Sequence, residues 1–327
     1  MIKFTYFHQL SSEGAGSLLQ REIFAYFAAE IMGYEFVGIS NEFMLGHEPN
    51  HITKEKLNRD WGSLRNCIGN YIDKNQINIQ NIVSISSISC LSKAINYYSS
   101  LDEVFYLNIN YDISHKIFKN QSDIIKAKLV NNFRTKIFNK LNLDSKNYVA
   151  LHIRCCSKAD EVFGVDTLPW QHFNKDYGLH NNNQEFYHRL YRGVLFKIVK
   201  NFPKDIRPKL NIYSTCNSNE LDIFCDSLKD NFDVKLVLNG YSFDDFIALS
   251  SAKILISAHS SFSWMASFIN PNCSYIRSGF RHELPYNTVA FFDKDAVDYN
   301  YRDVFLTYIT RIFYIIQKLY FKLKDKS

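Results

Sequence analysis

Proline and glycine are scarce, at 6 and 12 of 327 residues, which excludes a collagen-like or low-complexity chain. The seven cysteines (67, 90, 155, 156, 216, 225 and 273) contain no CxxC pair and no zinc-ligand spacing. Their odd number and irregular placement count against a disulfide framework and fit a reducing, cytoplasmic setting. No apolar run reaches the ~18 residues that a membrane-spanning helix needs, and the opening "MIKFTYFHQLSSEGAG" is too short and too polar for a secretory signal. The charge excess is only +5. Outside the last turns no segment gathers basic residues into a face, so nucleic acid is not an expected partner, and a small anion or a lipid surface fits better. Neither a Walker lysine nor the full dinucleotide fingerprint is present, which counts against ATPase and NAD-dependent dehydrogenase chemistry.

What is present is apolar and aromatic: 46% hydrophobic residues, with 27 Phe and 21 Tyr. At roughly 150 residues per domain the length suggests about two domains. "IKFTYFHQL", the loop "SSEGAGS", a helix with Leu19, Ile23, Phe27 and Ile31 at helical spacing, and "EFVGIS" open the chain as β–loop–α–β. Residues 53–80 read as polar helix, 82–89 ("IVSISSIS") as a strand, and 123–141 as a helix with Ile125, Leu129, Phe133 and Ile137 on one face. After a polar joint at 141–147 the α/β rhythm returns. The strands are "YVALHI", "KLNIYST", "DVKLVL", "KILISA" and "CSYIRS". Helices fall at 184–201, about 218–230, "SFDDFIALSSA" with Ser242 as N-cap, and "HSSFSWMASFI". The expected fold is α/β, with two Rossmann-like domains facing a cleft. The expected divisions are an N-terminal domain at 1–146, a second domain at 147–300 and a C-terminal amphipathic basic helix at 301–327.

Three places carry candidate chemistry. In "NYVALHIRCC" the side chains of His152 and Arg154 alternate onto one face beside the carboxyl end of a strand, where ligands of open α/β sheets gather. A guanidinium there presents a planar fork to phosphate oxygens. The plainer alternative is a salt bridge to a nearby Asp and a satisfied core histidine. In "SAHSSFSW" a strand runs straight into a helix, with His259, Ser260, Ser261, Phe262 and Ser263 at the start. Exposed amides and the positive dipole end suit an anion there, although N-capping needs only one serine. In "SSEGAGS", Gly14 and Gly16 allow close backbone approach beside Glu13 and Ser17, as a simple tight turn would too. Between the HIR strand and its helix lies a connection, 155–183, long enough to imply a role or a bare surface insertion. Its Asp160, Trp170, His172 and Tyr177 could meet an acceptor sugar.

Taken together, "HIR", "IYSTCN" and "ILISAHSSFSWMASFINP", preceded by Gly14-Ala15-Gly16-Ser17-Leu18, resemble the bacterial alpha-1,2-fucosyltransferases and the wider alpha-1,6- and protein O-fucosyltransferase superfamily. The motifs occur in the family's order over residues 14–271, and "SSFSW" is the specific one. The resemblance implies GT-B architecture, a GDP-sugar donor (GDP-fucose first), inversion at the anomeric carbon and no required metal or other cofactor. It assigns donor contacts to Gly14, Gly16, Ser17, Arg154, Thr215, Asn217, His259, Ser260, Ser261 and Phe262. Departures from the family pattern are Cys155, Cys156 and Ser157 in H-x-R-R-G-D, Cys216 and Asn217 in place of paired acids, and Ser17 in place of Asn.

Such a transfer needs stabilisation of the departing diphosphate, here by Arg154 and the serine turn, and a base for the acceptor hydroxyl: Glu13, then His152 or Asp160. Residues 304–326 place an apolar stripe beside Lys318, Lys322, Lys324 and Lys326. That suits either an anionic membrane surface or docking on the chain's own domains. The first option fits a lipid-linked oligosaccharide acceptor and a peripheral place on the inner face of the cytoplasmic membrane. Two other classes stay open at this point: cysteine-nucleophile chemistry by Cys156 with His259, and a non-catalytic nucleotide- or carbohydrate-binding module.

Overall fold

The computed structural model describes residues 1–7, 15–39, 51–153, 180–214, 218–258, 260–277 and 288–291. Two parallel sheets carry the chain. The first contains β1 (Ile2–Thr5), β2 (Glu35–Ile39), β3 (Asn70–Ile72), β4 (Ile82–Ile85) and β5 (Phe105–Ile109), in the order β3-β2-β1-β5-β4. The second contains β6 (Lys146–Ile153), β7 (Lys209–Ser214), β8 (Asp233–Leu238), β9 (Ala252–Ser257), β10 (Cys273–Arg277) and β11 (Thr288–Phe291), in the order β11-β10-β9-β6-β7-β8. Counted from its own first strand, the second sheet runs 3-2-1-4-5-6, the doubly wound order, with its topological switch between β6 and β9. This is the α/β architecture of two Rossmann-like halves that the sequence implies.

Among the described residues the helices are α1 (Ala15–Met32), α2 (Lys54–Arg65), α3 (Ile88–Tyr98), α4 (Tyr111–Lys119), α5 (Asp123–Leu141), α6 (His180–Val199), α7 (Ser218–Asp226), α8 (Ser242–Ser251) and α9 (Ser261–Ile269). Several start where a short polar side chain takes over a first-turn amide. Thr53, Ser87, Asn110 and Ser122 accept from Lys56, Cys90, Ile113 and Ile125 respectively.

Alternation along β6 sorts the second half into two layers. Val149, Leu151 and Ile153 pack with Leu190, Val194, Leu195 and Phe224 of α6 and α7. Tyr148 and Ala150 point to the other face, toward Phe246 and Leu249 of α8 and Trp264 of α9. That second layer does not stop at the domain joint. The same core cluster continues through Phe24 and Phe27 of α1 to Phe4 of β1 and Leu107 of β5. The two sheets therefore share one buried aromatic layer. Phe24 lies 6.2 Å from Trp264, Phe27 lies 6.0 Å from Phe268, and Trp264 stacks on Phe268 at 5.3 Å.

Several sequence expectations need correction. Residues 53–80 are helical only to Arg65; the edge strand β3 and short 3-10 turns follow. Gly69 stands just before β3, where a Cβ on it would sit 2.7 Å from the Phe36 ring. The stretch 82–89 is a strand only to Ile85, because Ser87 caps α3 instead of extending the ladder. Ile125, expected on the buried stripe of α5, is 42% exposed, whereas Phe133 and Ile137 further along are fully buried. The first turn of α5 overhangs the core. Ser242 is the first residue of α8, not its cap; Tyr241 caps without a side-chain bond. Tyr241 is pinned from outside, by its hydroxyl to Asp60 Oδ2 at 3.2 Å and by Lys56 Nζ lying 3.7 Å over its ring. Tertiary contacts set this boundary, not the cap preference.

Candidate functional site

The motifs converge at the switch point. β6 and β7 end side by side, Ile153 paired with Ser214, and Ser214 Oγ donates 2.7 Å to the Ile153 carbonyl. β9 ends next to them at Ser257. His152, on the α8/α9 face of β6, has its ring 5.6 Å from that of Phe262. Ser260 caps α9 by accepting from the Phe262 amide at 3.3 Å, and its own site is nearly closed to solvent. Phe262 is in turn packed by Phe246 at 5.5 Å and Trp61 at 6.5 Å. Ser261 is the half-buried residue that opens the helix.

α1 reaches this turn from the other half. A Cβ on Gly16 would stand 2.5 Å from Phe262 Cα, 2.6 Å from its N and 3.0 Å from Ser261 C. The close backbone approach expected of this glycine is thus made to the first turn of α9, a protein backbone, and Ser17 follows half-buried on the next position of α1. Two helix starts lie against one another at this point, backbone to backbone. Their positive dipole ends add in the same place.

Of the three serines that suggested an anion turn, Ser263 is turned inward. It is fully buried, and its hydroxyl bonds Ser257 Oγ at 3.0 Å and the Ala258 carbonyl at 3.3 Å. It stitches α9 to the end of β9. Ser260 does the capping, and Ser261 stays half-buried as the first residue of α9. The remaining residues singled out from sequence lie outside the described residues: Glu13, Gly14, Arg154, Asp160, Trp170, His172, Tyr177, Thr215, Asn217 and His259, and with them Cys156 and the 301–327 segment. Arg154 and Thr215 are the next residues after the described ends of β6 and β7.

Three polar groupings near the site escape sequence reasoning. Glu22 of α1 is fully buried and bound by Arg65 of α2 through Nε at 3.0 Å and through Nη2, while Tyr71 donates 2.9 Å to the same carboxylate. Burial opposes the Arg65 charge, but Glu22 and Tyr71 outweigh it and raise its pKa; burial and then Glu22 push the Tyr71 hydroxyl well up. This cluster sets α2 against α1. From α2, Lys56, Asp60 and Trp61 meet the start of α8 across the joint. Burial works against the Asp60 charge, yet bonds from Lys56, Arg59 and Tyr241 hold its carboxyl below the ordinary range. Finally, Arg134 of α5 is buried and donates from Nε to the Phe268 carbonyl at 2.7 Å. A charged residue inside an otherwise apolar helical stripe was the only sequence signal for Glu22 and Arg134, and their partners are far apart in the chain. No group of acidic, histidine and cysteine side chains able to hold a metal occurs among the described residues.

No family model and no curated protein matches the sequence. Solved structures do match in shape. POFUT1 in complex with GDP-fucose is similar over 89% of this chain and 97% of that chain, with 10% identity and a TM-score of 0.42. POFUT1 with GDP gives the same coverage and identity at 0.41. E. coli heptosyltransferase WaaC with ADP covers 95% of this chain and 99% of its own, at 9% identity and 0.38. At these identities and scores the architecture rests on the chain's own strand order.

Proposed function

We propose that this chain is a glycosyltransferase of the GT-B type that moves fucose from GDP-fucose, with inversion, to a hydroxyl of a glycan in O-antigen or capsule synthesis. One observation carries the reading. His152 at the switch-point strand, the Ser260-capped start of α9 and Gly16 at the start of α1 are distant in sequence and meet at one spot. Such a place favours a small, multiply charged anion over an apolar ligand.

In this reading Arg154 and the Ser260–Ser261 turn receive the charge of the departing diphosphate, the largest lever on the barrier. His152 shares the face of Arg154 by strand alternation. Gly14, Ser17, Thr215, Asn217, His259 and Phe262 complete the donor side. Glu13 takes the acceptor proton, with His152 and Asp160 as the other bases in reach of the role. Asp160, Trp170, His172 and Tyr177 meet a glycan or lipid-linked oligosaccharide. No metal or other cofactor is required, because a guanidinium and two helix starts supply the positive charge. The 304–326 segment would hold the protein at the inner face of the cytoplasmic membrane. Among the described residues no helix is long and apolar enough to cross a membrane.

A thermal-shift screen across GDP, UDP, CMP and dTDP with their sugars tests the proposal. GDP and GDP-fucose should stabilise most, and Arg154→Ala should remove the shift. A larger shift with UDP or CMP overturns the fucose assignment, and no shift with any of them overturns the transferase reading.

A further inference from the structure

α9 has no charge of its own. Its sequence, SFSWMASFI, carries no acidic residue in the first turn and no basic residue in the last, so neither dipole end is complemented from within. The complement at the C-terminal end comes from α5, where buried Arg134 Nε donates to the Phe268 carbonyl at 2.7 Å. At the other end the first turn rests on the bare backbone of Gly16. Along its flank Trp264 and Phe268 lie against Phe24, at 6.2 and 6.1 Å. By sequence α9 belongs to the second half. In space the first half holds both of its ends and one side.

Burying a guanidinium is costly, and burial pulls the Arg134 pKa down to about 10. Methionine of similar length would fill the same room without that cost. What arginine adds is a directional bond to a terminal carbonyl and a positive charge behind the helix. Nine residues at ~1.5 Å each make α9 a short rod. Fixing its far end therefore fixes the setting of its first turn.

We propose that Arg134 is a positioning residue for the diphosphate turn, acting through the length of α9: its bond to Phe268 sets where Ser260, Ser261 and Phe262 stand. The inference rests on the nucleotide-sugar reading above and adds a residue outside every motif.

The test compares Arg134→Met and Arg134→Lys with wild type by two measurements, amide hydrogen exchange at residues 260–264 and calorimetric affinity for GDP. Folded Met variant should exchange faster at 260–264 and bind GDP about tenfold more weakly, and Lys should recover affinity to within roughly threefold of wild type. A folded Met variant with wild-type exchange and affinity overturns the proposal, as does a Lys variant no better than Met. Should Met not fold, the Lys variant decides: modestly faster exchange with weaker GDP binding supports the clamp, and equality with wild type in both overturns it. Wild-type protein that binds no GDP sinks the nucleotide reading, and the clamp is then judged by the exchange at 260–264 alone.

Discussion

Gly16→Ala is the most direct probe of the contact between the two helix starts. The added methyl would stand 2.5 Å from Phe262 Cα and 2.6 Å from its N. Ordinary carbon contacts begin near ~3.5 Å, so the first turns of α1 and α9 must separate by roughly 1 Å. Both surfaces are backbone, and no rotamer change can relieve the clash. Overpacking of this kind costs about 1–3 kcal/mol, partly offset by the better helix propensity of alanine, worth up to ~1 kcal/mol. We expect a net loss of about 1–2 kcal/mol in urea unfolding. The displacement should also weaken GDP binding by roughly tenfold or more, since errors near 1 Å in a binding group are felt strongly. Gly62 in α2 is the control, because nothing lies within 4 Å of its added Cβ. Gly62→Ala should be neutral or stabilising by up to ~1 kcal/mol. If Gly16→Ala matches Gly62→Ala in both stability and GDP affinity, the packing of α1 on α9 is wrong.

Further expectations concern the buried polar groups and the shared aromatic layer. Glu22→Leu should cost about 3–5 kcal/mol because it strands the Arg65 charge, whereas the Glu22→Leu/Arg65→Leu pair should recover much of that loss in a urea double-mutant cycle. Trp264→Ala should cost about 3–5 kcal/mol by the same measurement, since it empties the layer shared by both sheets. His188 is held neutral mainly by burial, with Arg192 adding to it, and its pKa falls to about 4. Between pH 4 and 6.5 the unfolded chain therefore binds the extra proton. The stability this group contributes is complete above pH 6.5 and is lost as the pH falls toward 4. The bound is roughly 3 kcal/mol, or about 1–2 after solvent screening of a half-buried ring. Unfolding curves for His188→Leu should accordingly lack part of the acid limb seen in wild type, and parallel limbs would refute the assignment.

In the second half β6 and β9 were legible because they are largely apolar runs at the middle of the sheet, "YVALHI" and "KILISA". α1 was legible through its 3.6-residue stripe. β3, β5 and β11 were not, being short and mixed with polar residues, and α3 and α4 begin at caps inside stretches that alternate like strands. In the candidate site, the sequence marks "SSFSW" but cannot divide its labour. Ser260 caps, Ser263 and Trp264 are buried structural residues, and Ser261 and Phe262 stay half-buried. The glycine at 16 signalled close approach without naming what approaches. Glu22–Arg65 and Arg134–Phe268 join residues 43 and 134 apart, and no local pattern encodes such separations.

The aromatic layer running from Phe4 through Trp264 bears on how this molecule could be dissected. Cutting the chain at the polar joint near Asn142 would leave each fragment with a raw apolar wound, Phe24 and Phe27 on one, Trp264 and Phe268 on the other. Neither piece should stay in solution as a monomer. Co-expressed, they should instead find each other and restore a single cooperative melting event.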